Sequence, residues 1–308
     1  MAVTNKYSLF GAQLNTTVPI FIGGISSHGA EPNSAVDREI TNDYYAKWYG
    51  ISGQAPSFSF TTFHLATALT NIGLTGLKLS TLVTGLELWY QKHLNESTRE
   101  ATLKHRKLLA KAGLVVPRRL TVSHGPGQHA SVTYEVIITY VSPNDPIIIT
   151  DDLTLPTAEA DDERFALGPW QIGGKTLAHF RSLEIDFGIN VVAESADGDI
   201  WPTFCSIESI TPTITARGID PEWFKSTNIP LAGLACTHAD TIGYLRKREI
   251  AGGFVLAAEH IKFTAAGLAH IVQAGEASGQ GATETSLAIP LIGDGTNAPL
   301  TINTASAI

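Results

Sequence analysis

Apolar and polar residues alternate with a period of two along much of this chain. From Leu183 to Val191 every second residue is apolar, while Glu184, Asp186 and Asn190 occupy intervening positions. Because successive side chains of a strand point to opposite faces of a sheet, this pattern predicts a half-buried strand. Similar patterns predict strands at Leu86–Tyr90, Val132–Tyr140, Ile210–Arg217, Phe254–Thr264 and Ser286–Ile292. Frequent Thr, Val and Ile support this interpretation, so we expect a mainly β protein.

Two segments carry helical signals instead. Ser97–Ala112 has apolar residues at helical spacing, basic residues between them, and Gly113 as a C-terminal stop. A shorter helix is predicted to begin near Pro221, with Asp220 as its N-cap. The expected architecture is a β-sandwich or partial barrel with one flanking helix in each of two copies.

The two copies are inferred from internal similarity. Short strings recur in the same order at shifts of 150 to 156 residues: Ile22–Gly24 as Ile172–Gly174, Ala55–Phe60 as Thr211–Ala216, Gly127–Ser131 as Gly279–Thr283, and Asn144–Ile149 as Asn297–Ile302. The alternative is coincidence among common loop residues. This period far exceeds the roughly 20–50 residues of a solenoid repeat, so it indicates whole domains. We predict a first β domain at 1–152, an acidic linker at 153–165 and a second β domain at 166–308.

Composition narrows the functional classes. Of the 308 residues, 44% are hydrophobic and only 16% are charged, against about 25% charged in an average domain. Self-association is one common way for a protein to cover so weakly charged a surface. The net charge of −8 argues against a sequence-reading nucleic-acid binder. We expect no signal peptide and no membrane span, because the most apolar run, Leu65–Leu77, is interrupted by Thr, Asn and Gly. Two cysteines suit a reducing compartment.

No pattern predicts catalysis. The chain lacks a GxxxxGK[ST] phosphate loop and a GxSxG nucleophile elbow. The Gly-rich strings at Gly125–Gly127 and Gly279–Gly281 are interpreted as hairpin turns. His124 and His129 flank the first turn and could hold a metal, but a surface pair without a metal is favoured. A nucleophile–base pair of Cys236 and His238 is disfavoured. We therefore expect no enzyme activity, no metal and no cofactor.

Two charged groups are candidates for an assembly role. Glu184 and Asp186 share one strand face, where they are either solvated or line a channel that repels DNA phosphates. Basic residues cluster within 28 positions: Lys92, Arg99, Lys104, Arg106, Lys107, Lys111, Arg118 and Arg119. This cluster could be a solvated helix face, a nucleic-acid patch or a contact to an acidic neighbouring subunit, and we favour the neighbour over DNA. The candidate intersubunit contacts are Arg99, Lys104, Arg106, Lys107 and Lys111.

Three strings in the second half carry a family resemblance. Leu183–Gly188 reads LEIDFG, Asp197–Pro202 reads DGDIWP, and Ser209–Thr215 reads SITPTIT. In this order they resemble the tail tube proteins of long-tailed (siphovirus-like) bacteriophages, in a duplicated two-domain form. The resemblance covers roughly 168–308, and the first half joins it through the repeat.

The resemblance implies a structural role in a virion tail assembled in the cytoplasm of a bacterial host. Tube subunits are small β-sandwiches whose sheets join side by side into rings, and the rings stack around a channel through which DNA passes without sequence-specific binding. A duplicated subunit implies three chains in a pseudo-sixfold ring, although a ring of six chains stays open. The implied partners are further copies of this chain, the tape measure and the tail terminator. We expect the strands near Leu77–Tyr90, Val132–Tyr140, Ile210–Arg217 and Phe254–Thr264 to build the inner sheets.

Three alternatives stay open. The chain could be a tail-tip, baseplate or head–tail joining protein. It could be a two-domain carbohydrate-binding β-sandwich, with stacking platforms from Trp48, Trp89, Trp170, Trp201 and Trp223. It could also be an enzyme that uses Cys236 or His238, the interpretation we favour least.

Overall fold

The computed structural model describes residues 6–39, 48–94, 98–100, 103–125, 127–157, 163–172, 175–196, 198–220, 237–270, 273–277, 284–293 and 295–308. With 61% strand and 5% helix the protein is mainly β, which confirms the predicted fold class. Its strands form antiparallel sheets, none of which closes into a barrel.

The elements of the first half are β1 (Tyr7–Leu14), β2 (Ile20–Ile22), β3 (Ile25–Glu31), β4 (Ser34–Glu39), β5 (Trp48–Gln54), β6 (Ser57–Thr62), α1 (Leu65–Ile72), β7 (Leu77–Lys78), a 3-10 turn (Leu79–Thr81), β8 (Leu86–Lys92), β9 (His105–Ala110), β10 (Gly113–Ser123), β11 (Ser131–Ile138) and β12 (Ile147–Leu153). The second half contains β13 (Phe165–Ile172), β14 (Lys175–Thr176), β15 (Phe180–Asp186), β16 (Ile189–Glu194), β17 (Phe204–Ile210), β18 (Thr213–Gly218), β19 (Thr237–Lys247), β20 (His260–His270), β21 (Gln273–Ala277), β22 (Glu284–Ile292) and β23 (Thr301–Ser306).

Both halves build the same three groups of strands. The first half forms a five-stranded sheet in the order β12-β9-β8-β1-β2, a row β10-β11-β6-β3 and a separate hairpin β4–β5. The second half repeats this as β23-β20-β19-β13-β14, β21-β22-β18-β15 and the hairpin β16–β17. Within the described residues, every pairing of the first half except the short β7–β10 contact has a counterpart in the second. The structure therefore contains an internal repeat of one topology.

Backbone irregularities recur with the strands. The pairing of β3 with β6 is shifted by a bulge between Ile25 and Ser27, and that of β15 with β18 by a bulge between Phe180 and Ser182. These bulges lie 155 residues apart, at the same place in each copy. Such bulges bend a strand and increase its twist, so the two strands have matching shapes.

Two further positions match at the same spacing. Asn33 and Gly188, which follow β3 and β15, both adopt left-handed backbone conformations with φ of 44° and 56°. His105 and His260 are buried at the starts of β9 and β20, and each Nδ1 accepts a backbone N–H from the preceding strand. These coincidences give the repeat a register residue by residue.

The residue-by-residue match of the two copies shows which of the recurring strings occupy equivalent positions. Ala55–Phe60 and Thr211–Ala216 occupy equivalent positions, and Ile149 lies at the position of Ile302. The match of Ile22 to Ile172 is wrong, because β13 is the counterpart of β1 and Ile172 therefore corresponds to Leu14. The string Gly279–Thr283 lies outside the described residues.

The apolar faces of the two kinds of sheet enclose the core. Phe58, Phe60 and Tyr134 from the row β10-β11-β6-β3 are buried in one cluster with Leu14 and Leu88 from the five-stranded sheet. This face-to-face arrangement is that of a sandwich. The second half contributes Trp170, Phe263 and Ile214 to the same cluster.

The predicted helix at Ser97–Ala112 is wrong. His105–Ala110 form β9, which pairs with β8 on one side and with β12 on the other. The helix of the first half is α1, whose buried Leu65, Ala68, Leu69 and Ile72 follow helical spacing. The helix predicted near Pro221 lies outside the described residues.

Strand boundaries also differ from two predictions. Leu183–Val191 is not one strand, because β15 and β16 are separated by a turn at Phe187 and Gly188. The strand predicted from Phe254 begins only at His260, after a loop. The strands predicted at Val132–Tyr140 and Ser286–Ile292 are confirmed as β11 and β22, with alternating burial in each.

Candidate assembly surface

One row of strands crosses the boundary between the two copies. β10, at the end of the first row, pairs antiparallel with β15, at the end of the second row. The result is a continuous sheet in the order β21-β22-β18-β15-β10-β11-β6-β3. The outer edges of this sheet are β3 and β21, and in the described part of the chain neither has a strand on its other side.

The junction between the copies is apolar on its inner face. Leu120 lies opposite Ile185, and Val122 lies opposite Leu183. All four side chains are buried, with exposed fractions of 2% or less. Burial of this kind contributes about 1.5–3 kcal/mol per aliphatic side chain, so the junction is a stable part of the fold.

The outer face of the junction is charged and internally paired. The Arg119 guanidinium forms an ion pair with Glu184, one of the two candidate channel residues. Neighbouring Arg118 binds the Glu135 carboxylate and donates to the carbonyl oxygen of Ile189. The second candidate, Asp186, accepts the backbone N–H of Gly188 at 2.9 Å. Glu184 and Asp186 thus share a face, as predicted, and both have a partner within the chain.

Serine and threonine dominate the rest of this outer face. Ser57, Ser59 and Thr61 on β6, and Thr213 and Thr215 on β18, alternate with buried apolar residues. Ionisable side chains of both signs accompany them: Glu31, Glu135, Glu184, Asp186 and Glu284 with Arg118, Arg119, Arg181 and Arg217. The face is therefore polar and of mixed charge, and less acidic than Glu184 and Asp186 alone suggested.

A loop of the second copy clasps the first copy. Trp201, between β16 and β17, donates from Nε1 to Gln54 Oε1 at 3.0 Å and packs against Tyr140 in a tilted contact with ring centroids 5.1 Å apart. The backbone N–H of Gln54 donates to Ile200 O, and that of Tyr140 donates to Pro202 O, both at 2.7 Å. We call these contacts the Trp201 clasp. Our sequence analysis missed its role, although a Trp-Pro pair in a polar loop was a usable signal.

The predicted acidic linker also makes a specific contact. Glu163 accepts the backbone N–H of Ala66 at 2.9 Å, together with the N–H and the hydroxyl of Thr67. α1 has no side-chain cap from its own N-cap residue, His64. A carboxylate at a helix N-terminus satisfies free N–H groups and interacts favourably with the helix dipole. The C-terminal end of the linker therefore fixes α1, whereas 158–162 lie outside the described residues.

Two of the five basic candidates form close ion pairs within the chain. Arg106 binds Asp151 through two N–H donors at 2.6 and 3.0 Å, and this bond lowers the pKa of the Asp151 carboxyl. Lys107 Nζ lies 2.8 Å from the buried Glu87 carboxylate. These ion pairs join β9 to β12 and β8, which weakens the case for a contact with a neighbour.

The other basic candidates differ in their surroundings. Lys104 is 3.9 Å from Asp152, with both side chains more than half exposed. Arg99 donates to Gln91 Oε1 at 2.9 Å. Lys111 forms no ion pair with any residue that the structure describes. An intersubunit role for these side chains stays a prediction.

The remaining chemical candidates do not converge. Trp89 and Trp170 are buried and present no stacking platform, while Trp223 and the side chain of Trp48 lie outside the described part. His129 packs edge-on against Phe63, and burial lowers its pKa. Within the described ranges no group of three His, Cys, Asp or Glu side chains could hold a metal. Cys236 and the side chain of His238 lie outside those ranges.

Comparison with protein-family models and with curated protein sequences returns no match for this chain. Among the described residues no helix has the length and apolar character needed to cross a membrane. The feature of the chain that bears on its function is the geometry of the sheet that crosses the two copies.

Proposed function

We propose that this protein is the tube subunit of a bacteriophage tail, assembling head to tail into rings that stack around a DNA channel. The supporting observation is the β10–β15 junction. It joins one edge of the repeated sheet to the opposite edge of its copy, and it leaves the same two kinds of edge, β3 and β21, at the ends. A contact between unlike edges repeats until a ring closes, and closure removes every free edge.

Ring size follows from strand number. Each chain supplies eight strands, so three chains supply 24, in line with the pseudo-sixfold arrangement. With strands about 4.8 Å apart and tilted by about 40°, such a ring measures about 48 Å between opposite backbones. This exceeds a 16-stranded porin, which already encloses an aqueous channel. A ring of three chains is wide enough for duplex DNA.

The polar face of the sheet is the face that lines the channel. The apolar face is covered by the five-stranded sheets, which must therefore lie outside the ring. Leu77–Tyr90 and Phe254–Thr264, which were expected in the inner sheets, overlap β8 and β20 of these outer sheets, so the proposal excludes β8 and β20 from the channel lining. Hydroxyl groups and paired charges interact weakly with phosphate, in contrast to the unpaired basic clusters that bind DNA backbones. DNA can then slide past without being held, and the free ends of the stacked rings remain for the tape measure and tail terminator.

Electron microscopy of the purified protein, with its mass in solution, tests this proposal. We expect rings and tubes, and a mass three times that of the chain. Ala30 is exposed on the free β3 edge, and its counterpart Ile185 is buried in the junction. Ala30→Glu should therefore block assembly without unfolding the chain, since an acidic group would enter a buried contact.

The matched control is Ala35→Glu. Ala35 is also exposed, but it lies on β4, which pairs with β5 and is neither of the two free edges. This variant should still form rings. Monomers at every concentration, or equal assembly by both variants, would exclude the proposed function.

A further inference from the structure

We infer that β21 of one chain pairs with β3 of the next in the register of the β10–β15 junction. This inference rests on the proposed ring and specifies its contact. The register places three pairs of residues opposite one another across the interface: Gly275 and Glu31, Glu276 and Ala30, and Ala277 and Gly29.

The backbone of β3 has the same shape as the backbone of β15. Both strands carry a bulge at the same position, and both end in a left-handed residue, Asn33 or Gly188. Their partners β6 and β18 are paired in the same register. The N–H and C=O groups on the outer edge of β3 are therefore arranged like those that β15 presents to β10. By this equivalence Gly29, Ala30 and Glu31 correspond to Glu184, Ile185 and Asp186.

β21 has the same position in the second copy as β10 has in the first copy. β22 corresponds to β11, and Gly275, Glu276 and Ala277 pair with it as Arg119, Leu120 and Thr121 pair with β11. The bulge of β10 after Pro117 has no counterpart in β21. It lies on the far side of the three positions used here and does not shift them. Transferring the pairs of Arg119, Leu120 and Thr121 with β15 to these positions gives the proposed register.

The exposure of the free β3 edge indicates which strand pairs with it. Gly29, Ala30 and Glu31 are exposed, whereas Ile185, the counterpart of Ala30, is completely buried and lies opposite Leu120 of β10. Pairing like edges, β3 with β3, would use one edge of each chain and leave β21 open. Only the unlike pairing repeats the contact that the chain already makes within itself. The fitting occupant is therefore the β21 edge of a second copy.

Cysteine cross-linking tests the register. Gly29→Cys is sterically allowed, because an added Cβ would come no closer than 3.4 Å to the Ser59 hydroxyl. In a background with Cys205 and Cys236 replaced by serine, one chain carries Gly29→Cys and another Ala277→Cys. Directly opposed strand residues lie within disulfide range, at about 4.5–5.5 Å between Cα atoms. Mild oxidation of the mixed chains should give a covalent dimer, and neither chain alone should give one.

Two controls fix the register and the ring. Ala277→Cys mixed with Ala30→Cys should give at least tenfold less dimer, because a one-residue slip turns the side chain to the opposite face. A chain carrying both Gly29→Cys and Ala277→Cys should give a ladder that stops at the number of chains in the ring. Rings that cross-link only at the slipped pair, or dimers from one single variant alone, would overturn the inference while leaving the ring intact. Absence of both rings and cross-links would overturn the proposed function as well.

The wild-type chain supplies a test without substitutions. Amide hydrogen exchange in β3 and β21 should slow at least tenfold on assembly, whereas exchange in β5 should not change. Unchanged exchange in β3 or β21 in assembled rings would refute the pairing.

Discussion

Replacing Trp201 should weaken the contact between the two copies and lower the unfolding free energy of the chain. Trp201→Ala removes a partly buried indole, its packing against Tyr140 and its hydrogen bond to Gln54. Truncating a fully buried Trp costs about 3–5 kcal/mol. Because Trp201 is only partly buried, we expect about 2 kcal/mol from lost packing and about 1 kcal/mol from the lost hydrogen bond. The expected loss of unfolding free energy is then about 3 kcal/mol.

Urea unfolding of the dispersed chain, followed by tryptophan fluorescence and circular dichroism, measures this loss. Trp201→Phe keeps a ring against Tyr140 and removes only the hydrogen bond, so it should cost about 1 kcal/mol. Phe204→Ala is the matched control, because Phe204 begins β17 near the clasp and is 58% exposed. It should change stability by less than about 0.5 kcal/mol.

The shape of the transition carries further information. The Trp201 clasp and the β10–β15 junction are two contacts that hold the copies together. Weakening the clasp should therefore give different unfolding midpoints by tryptophan fluorescence and by circular dichroism. Equal losses for Trp201→Ala and Phe204→Ala would refute the reasoning, because the clasp would then contribute no more than an exposed ring on the same hairpin.

Three further outcomes test individual contacts in the same urea assay. Lys107→Met leaves the buried Glu87 carboxylate without its cation and should lower the unfolding free energy by about 3 kcal/mol. Arg106→Met breaks an exposed ion pair and should lower it by less than about 1 kcal/mol. Similar losses for the two variants would show that burial of the pair does not decide its contribution. Glu163→Gln weakens the cap of α1 and should cost about 1 kcal/mol, and no change would mean that the contact is not stabilising. Burial lowers the pKa of His28, so the unfolded chain binds a proton at a higher pH than the folded chain does. Stability should therefore fall as the pH drops below about 6.5. His28→Gln should make this decline smaller, and an unchanged pH profile of stability would exclude His28 as its cause.

Local pattern was sufficient for the strands that have one polar and one apolar face. Val132, Tyr134 and Val136 are all buried on β11, as alternation predicted, and the second repeated string fell at equivalent positions. In such strands the burial of each side chain is determined by its own position along the chain. The period of two therefore survives in the sequence.

Local pattern failed where distant residues decide the structure. The apolar residues of Ser97–Ala112 were interpreted as helically spaced, but Arg106 and Lys107 lie on strand β9, point to opposite faces and meet Asp151 and Glu87 from other strands. Likewise, nothing local marks β10 and β15 as partners, because the contact joins the edges of two folded copies. Only Trp201, a large aromatic residue beside proline in a polar loop, left a signal that sequence analysis could have used.

The two forms of the repeated edge differ in chemistry, and the difference predicts how the proposed rings would dissociate. The edge covered within the chain presents Leu183 and Ile185 to the core, whereas the free edge has His28 and Ala30 at those positions. Two buried aliphatic side chains contribute about 1.5–3 kcal/mol each, so the contact between chains lacks several kcal/mol that the internal junction has. Dilution or moderate urea should therefore dissociate rings into folded chains before the chains unfold. Analytical ultracentrifugation together with circular dichroism separates the two steps, and the dissociation midpoint should rise with protein concentration while the unfolding midpoint stays fixed. Loss of rings and loss of fold at one urea concentration, whatever the amount of protein, would show that the free edge binds as tightly as the covered one.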